Sequence, residues 1–210
     1  EGDLDAYVLS MLWPKNHSVP DPQWAEEITV GSRVKRPMGP ADVRAEAGLQ
    51  IGKRPGDVTA FAFQGEAEVG FKMGDGTRLA AGGFFASGDD PETETDEGWN
   101  QLFPTAHKFL GFADIMGGRN NVMGGMLRAK HEAGKKVVAA ADAHFFMRPQ
   151  TADDVDAYTG AEVDLWTLYK VGKGLGFKGG YSVFVPNESG TFGTDTLAHY
   201  VEVQLLYNLK

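Results

Sequence analysis

Between Thr59 and Met73 the chain reads TAFAFQGEAEVGFKM, and its two parities separate cleanly. Phe61, Phe63, Ala67, Val69, Phe71 and Met73 fall on odd positions, and Gln64, Glu66, Glu68 and Lys72 on even ones. A period of two marks a strand, because successive side chains leave a pleated backbone on opposite faces. The stretch exceeds the ordinary strand of about 5–6 residues and passes the roughly 9–11 residues that a tilted strand needs to cross a bilayer core. The alternation recurs along the chain. Ile28 to Arg36 sets Ile28, Val30 and Val34 against Thr29, Arg33 and Lys35, and the next strand sets Val43, Ala45, Ala47, Leu49 and Ile51 against Arg44, Glu46 and Gln50. Thr77 to Ser87 places Leu79, Ala81 and Phe85 opposite Arg78. Met123 to Ala133 places Met123, Leu127 and Ala129 opposite Arg128, Lys130 and Glu132. Val137 to Met147 carries Asp142 and His144 on its polar parity, with Lys136 and Arg148 flanking it. Ala161 to Val171 carries Glu162, Asp164 and Lys170, and Leu175 to Val185 includes Phe177 and Lys178. Val201 to Leu209 sets Val201, Val203, Leu205, Tyr207 and Leu209 against Glu202, Gln204 and Asn208. Leu4 to Trp13 is apolar on both parities, and Ala6, Val8 and Leu12 are assigned to its interior face.

The pattern predicts an all-β fold: an antiparallel transmembrane β-barrel with about ten strands in this chain, forming one domain over residues 1–210. Its connections support that reading. PMGPAD, GDG, AGK and GKG are short, whereas the first, fifth, seventh and ninth connections are long and polar; KRPGD is short out of turn. Outer-membrane barrels have this asymmetry, with short periplasmic turns and longer extracellular loops. Phe71, Tyr169, Phe177 and Tyr207 then fall at one end of the apolar parity and Phe61, Phe63, Phe85 and Phe145 at the other, as two aromatic belts. The rival is a soluble barrel or sandwich, in which the same apolar parity points inward to a core. Ten strands would leave little room in the lumen, so the 210 residues are read as part of a larger barrel, its remaining strands absent from this sequence or supplied by another chain.

Composition adds exclusions. A 42% hydrophobic content suffices for one sizeable core, and no run of about 20 apolar residues predicts a membrane helix. With no cysteine there is no disulfide framework or thiolate metal site. The net charge of −9 argues against nucleic acid as a partner.

The charges are unevenly distributed. If the apolar parity faces lipid, the opposite parity lines a pore through Arg33, Lys35, Arg44, Lys72, Arg78, Arg128, Lys130, Lys136, Arg148, Lys170 and Lys178. The acids there are Glu46, Glu66, Glu68, Glu132, Asp142, Glu162, Asp164 and Glu202. Eleven bases against eight acids make a mildly cationic wall, one that lowers the barrier for an anionic solute; the alternative is that these charges pair and merely fill the barrel. The acidic excess lies in loops, at Asp89, Asp90, Glu92, Glu94, Asp96, Glu97, Asp153, Asp154 and Asp156. These runs lack the spacing of a calcium loop and read as solvated. His17, His107, His131, His144 and His199 show no metal-ligand spacing, and His144 shares a parity with Asp142 without a nucleophile motif. No catalytic residue, metal or cofactor is expected.

From Ser87 to Asp114 the sequence SGDDPETETDEGWNQLFPTAHKFLGFAD resembles the alginate export family of bacterial outer-membrane porins. The resemblance rests on the Ser-Gly-Asp-Asp at a strand end, the segment Gln101-Leu102-Phe103-Pro104-Thr105-Ala106-His107-Lys108, then Gly111 and Asp114, and continues weakly to Lys210; by this resemblance the chain looks like the C-terminal part of a larger barrel. It implies a Gram-negative outer-membrane channel that passes an anionic polysaccharide or similar anionic solute outward, with outer-membrane lipid, the solute and a barrel-completing chain as partners. It assigns no role to His107 or Lys108. Two other functions fit the pattern: a structural or adhesive barrel with a plugged lumen, and a soluble barrel that carries an apolar ligand.

Overall fold

Wherever the sequence alternates, the backbone is extended. The computed structural model describes residues 2–14, 24–103, 107–172 and 174–208; of the residues singled out above, His17, Pro104 to Ala106, Leu209 and Lys210 lie outside them. The strands are β1 (Asp3–Trp13), β2 (Ala25–Met38), β3 (Ala41–Arg54), β4 (Val58–Met73), β5 (Thr77–Ala86), β6 (Thr95–Asp96), β7 (Val122–Ala133), β8 (Val137–Met147), β9 (Tyr158–Gly172), β10 (Leu175–Pro186) and β11 (Ala198–Tyr207). Ten are the expected strands, 10 to 16 residues long. The eleventh, β6, is a two-residue piece of the long connection that pairs parallel to β4 at Thr59 and Ala60. The long strands form one antiparallel meander in the order β1-β2-β3-β4-β5-β7-β8-β9-β10-β11. Among the described residues β1 and β11 do not pair, so the sheet is open at both edges.

The two faces invert the habit of a soluble sheet. On β4, Phe61 and Phe71 are each 50% exposed, while Gln64, Glu66 and Glu68 on the other parity are buried. The same holds elsewhere: Tyr169, Phe177, Val203 and Tyr207 stand bare, and Glu27, Gln50, Glu162, Asp164 and Glu202 are covered. The six rings Phe61, Phe63, Phe71, Tyr169, Phe177 and Tyr207 all point away from the covered face, and Phe63 stacks on Phe85 with centroids 5.3 Å apart.

One assignment is corrected. Ala6, Val8 and Leu12 were expected inside, but Val8 and Leu12 are exposed on the bare face. Register decides it, since cross-strand partners share a face: Val8 lies opposite Val30, and Tyr7 opposite Gly31. Glycine is required there, because a Cβ at Gly31 would fall inside the Tyr7 ring. With both parities of β1 apolar, alternation carried no information about its orientation.

The connection after β5 is the second correction. It does not run free outside the sheet but turns back over the polar parity, where its Trp99, Phe109, Leu110 and Met116 join Ala62, Phe84, Ala86, Val122, Met126, Phe146 and Phe184 in an apolar core. Phe84, Phe146 and Phe184 come from β5, β8 and β10; their centroids meet at 6.4 and 6.2 Å, with Phe109 5.9 Å from Phe84. The connection leaves and re-enters the sheet at one point: the Ser87 carbonyl accepts from both Trp99 N and Asn121 N at 3.0 Å, and Ser87 Oγ accepts from Phe63 N.

Removing the central ring tests this core. Phe146→Ala is expected to cost about 3–5 kcal/mol, read as a fall in the denaturant midpoint of tryptophan fluorescence, whereas Phe61→Ala on the bare face should shift it far less in detergent.

Candidate functional site

The long connection, residues 87–121, is fastened to the covered face at three places, each set by a polar side chain on a strand. At the β2–β3 end, Gln50 treats Asn100 as a neighbouring strand: its Nε2 donates to the Asn100 carbonyl at 2.7 Å and its Oε1 accepts from Asn100 N at 2.8 Å. Asn100 Nδ2 also donates to Glu27, which is held in turn by Arg54. Arg54 reaches Asp96 at 2.6 Å, so this member of the acidic run serves as an ion-pair partner to the wall, a correction to the expectation of a wholly solvated loop.

The second fastening lies at β4. Arg119 donates through Nη1 to Glu66 at 2.8 Å and through Nη2 to Gln64, and its backbone N–H donates to Gln101 Oε1 at 2.8 Å. Glu66 also pairs with Arg44, and Lys108 lies 4.0 Å away. Arg44, Lys108 and Arg119 all face the buried Phe109 ring, at 5.4, 4.8 and 4.8 Å from its centroid, where the negative π-face attracts them. Burial pulls the Arg119 guanidinium below its ordinary pKa, and the Glu66 carboxylate opposes that shift. Burial likewise lowers the pKa of Arg148, which caps the carbonyls of Asn120 and Asn121.

At the third place, two carboxylates of β9 take backbone amides of the connection. Glu162 accepts from Ala113 N at 2.8 Å and Asp164 from Phe112 N at 3.4 Å. Gly111 makes the approach possible: its φ is +78°, and a Cβ there would collide with the Glu162 carboxylate. His144 Nε2 lies 3.3 Å from Asp164, diagonally across the ladder, with Glu162 directly opposite it. Asp142 and Asp164 are directly opposite, and Arg128 approaches Asp142 from β7. Lys178 sits 4.3 Å over the Phe112 ring and pairs with Glu202 at 3.1 Å. Within the connection His107 stacks on Phe112 and lies 3.3 Å from Asp114.

The eleven cations expected to line a pore divide into three groups. Arg33 pairs with Asp5, Arg44 with Glu66 and Glu46, Arg78 with Asp42 and Glu68, Arg128 with Glu68 and Asp142, Lys130 with Glu132, and Lys178 with Glu202. The Arg78 contact needs Gly70, because a Cβ there would strike the guanidinium that crosses from β5 to β3. Arg148 binds carbonyls only. Lys35, Lys72, Lys136 and Lys170 have no carboxylate partner among the described residues, and all four lie beside the short turns. Arg119, Trp99 and Phe109 were missed, because an irregular connection has no period; the signal available was a cluster of large rings and an arginine in an otherwise acidic segment.

The alginate export family matches the chain over residues 2–203. No curated protein matches it. The segment that first suggested the family, Ser87 to Asp114, supplies Ser87, Gln101, Gly111 and Asp114 to the contacts above.

Arg119→Ala is expected to destabilise the fold by less than the roughly 3–5 kcal/mol of a fully orphaned buried charge, because Arg44 still holds Glu66. Hydrogen exchange should accelerate in residues 107–121 before it does in β4, and Glu66→Gln in the same chain should recover part of the loss.

Proposed function

Because the chain belongs to the alginate export family, we propose that it forms part of the wall of an outer-membrane β-barrel in a Gram-negative bacterium and serves as a passive conduit for an anionic polysaccharide or similar anionic solute. The observation that carries this reading is the inverted sheet: apolar side chains bare on one face, charged side chains covered on the other. Monomeric soluble proteins rarely leave an apolar surface of this extent uncovered, whereas a barrel wall turns just such a band to lipid and keeps its polar parity inside. A soluble carrier of an apolar ligand would need the reverse arrangement. Open edges at β1 and β11 would leave unpaired backbone groups in hydrocarbon, so further strands, from the same or another chain, complete the wall. The family is one of transport, and the chain acts without chemistry of its own.

On this reading the connection of residues 87–121 sits in the lumen and narrows it. The plugged, structural barrel draws its support from the same contacts, since three fastenings and the paired Arg44, Arg78, Arg128 and Lys178 occupy the covered face. What favours a conduit is the set of lysines left over: Lys35, Lys72, Lys136 and Lys170 form a basic rim at the short-turn mouth, while the acidic runs gather beside the long connections. A field of this polarity draws an anion in from the short-turn side.

Single-channel recording of the barrel completed in planar bilayers tests the conduit. Anions should carry more current than cations, and replacing the four rim lysines by glutamine should lower that ratio without releasing a buried carboxylate; a closed channel at all voltages would favour the plugged barrel. The lipid face is tested separately. Ala67→Arg and Ala141→Arg, near the middle of bare-face strands, should each cost about 2–4 kcal/mol in urea unfolding from phospholipid vesicles.

A further inference from the structure

The bare face is not level. On β4 the large side chains Phe63, Val69 and Phe71 are interrupted by Gly65 and Ala67, and the ladder carries this dip sideways. Gly65 lies opposite Ala47, and Ala67 lies opposite Ala45 on one side and Gly83 on the other. A groove of about 730 Å³ results, walled by Phe85, whose ring is held by stacking on Phe63. Glu46 and Glu66 also border it but turn their carboxylates to the covered face, where Tyr7 and Arg44 meet them. At its β1 end the groove is lined by Leu4 and Val34. The same two residues line a second cavity, of about 400 Å³, at the short-turn end of β1 and β2, so the two spaces adjoin.

The second cavity carries a cation for which the protein supplies no counter-charge. Lys35 belongs to the covered parity and lies opposite Asp3, whereas Arg36 shares the bare parity of Val34 and lies opposite Val43. Arg36 is exposed and has no acidic partner among the described residues. Its stem runs beside Gly2, where a Cβ would stand 3.2 Å from Arg36 Cγ. An arginine near the end of a spanning segment lays its stem in hydrocarbon and brings its head to the level of the lipid head groups. There the guanidinium fork matches a phosphate through two parallel hydrogen bonds. An apolar groove joined to an unpaired guanidinium at the interface is complementary to an amphiphile with an anionic head.

We propose that this face holds one anionic glycerophospholipid of the short-turn leaflet, its phosphate on Arg36 and an acyl chain in the groove over β3, β4 and β5. The proposal rests on the reading of the bare face as the lipid face, and it deepens that reading by naming a lipid that is bound at one place.

Native mass spectrometry of the detergent-solubilised protein, titrated with phosphatidylglycerol or phosphatidylcholine, tests it. The parent should retain one phosphatidylglycerol in preference to phosphatidylcholine. In Arg36→Gln that preference should fall about fivefold, the share of one basic residue at an anionic lipid surface. Lys53→Gln, which removes an exposed cation of the same parity at the long-loop end of β3, should keep the preference. Ala67→Leu, which fills the groove, should lower retention of both lipids and leave their ratio unchanged. The site is overturned if both lipids are retained equally, if neither is retained, if Arg36→Gln keeps the parent's preference, or if Ala67→Leu retains lipid as the parent does. Behaviour without detergent separates this from the reading beneath it. A protein that inserts into vesicles but selects no lipid loses the site and keeps the membrane wall; one that stays in solution without detergent loses both.

Discussion

Glu66 is the group on which the covered face turns. A carboxylate buried at the middle of the longest strand is tolerable only if it is paired and hydrogen-bonded, and it is met by Arg44 from β3, by Arg119 from the long connection, and at a greater distance by Lys108. One of these partners is a neighbour in the sheet and two lie in the connection, so satisfying one charge obliges the connection to fold onto the sheet. Phe109 reinforces the obligation, since its ring lies beneath all three cations and extends into the apolar core. Polar and apolar requirements are met by the same chain segment.

That constraint also explains why the sheet is inverted. Glu27, Glu66, Glu68, Glu162, Asp164 and Glu202 are covered on one face, which is sustainable only where each finds a donor. The opposite face presents mainly Phe, Val, Leu and Tyr, and several of its few polar groups pair with one another at strand ends, as Ser10 with Glu26 and Thr77 with His131 do. A medium in which such a surface is at rest is apolar, and on the function proposed above that medium is lipid. Along the strands, paired arginines brace the sheet, and the lysines without a carboxylate partner among the described residues lie beside the short turns.

Much of the fold was legible in the sequence. Ten strands, their antiparallel order, the short turns and the outward direction of the ring residues all follow from a period of two and from Gly-rich turns, because strand geometry alone dictates which residues share a face. Family membership was legible from Ser87 to Asp114, where closely spaced polar and aromatic residues take up special backbone shapes. Gly111 must be glycine to admit Glu162, and Asp114 has a φ of +51°. The site was legible only as a list of cations. Six of the eleven proved to be paired, and Arg119, which holds the connection to β4, was not on the list.

What the sequence by itself determined is therefore local: strand positions, the two parities and the excess of acid in the connections, all consequences of neighbours along the chain and of the pleat. The tertiary structure decided what depends on register and return. Register turned Val8 to the bare face with Val30 and set His144 opposite Glu162, within 3.3 Å of Asp164, because cross-strand partners are fixed by alignment and not by spacing. Return brought residues 87–121 over the covered face, because a buried Glu66 and a ring of apolar side chains from β5, β8 and β10 needed partners that no adjacent strand could supply.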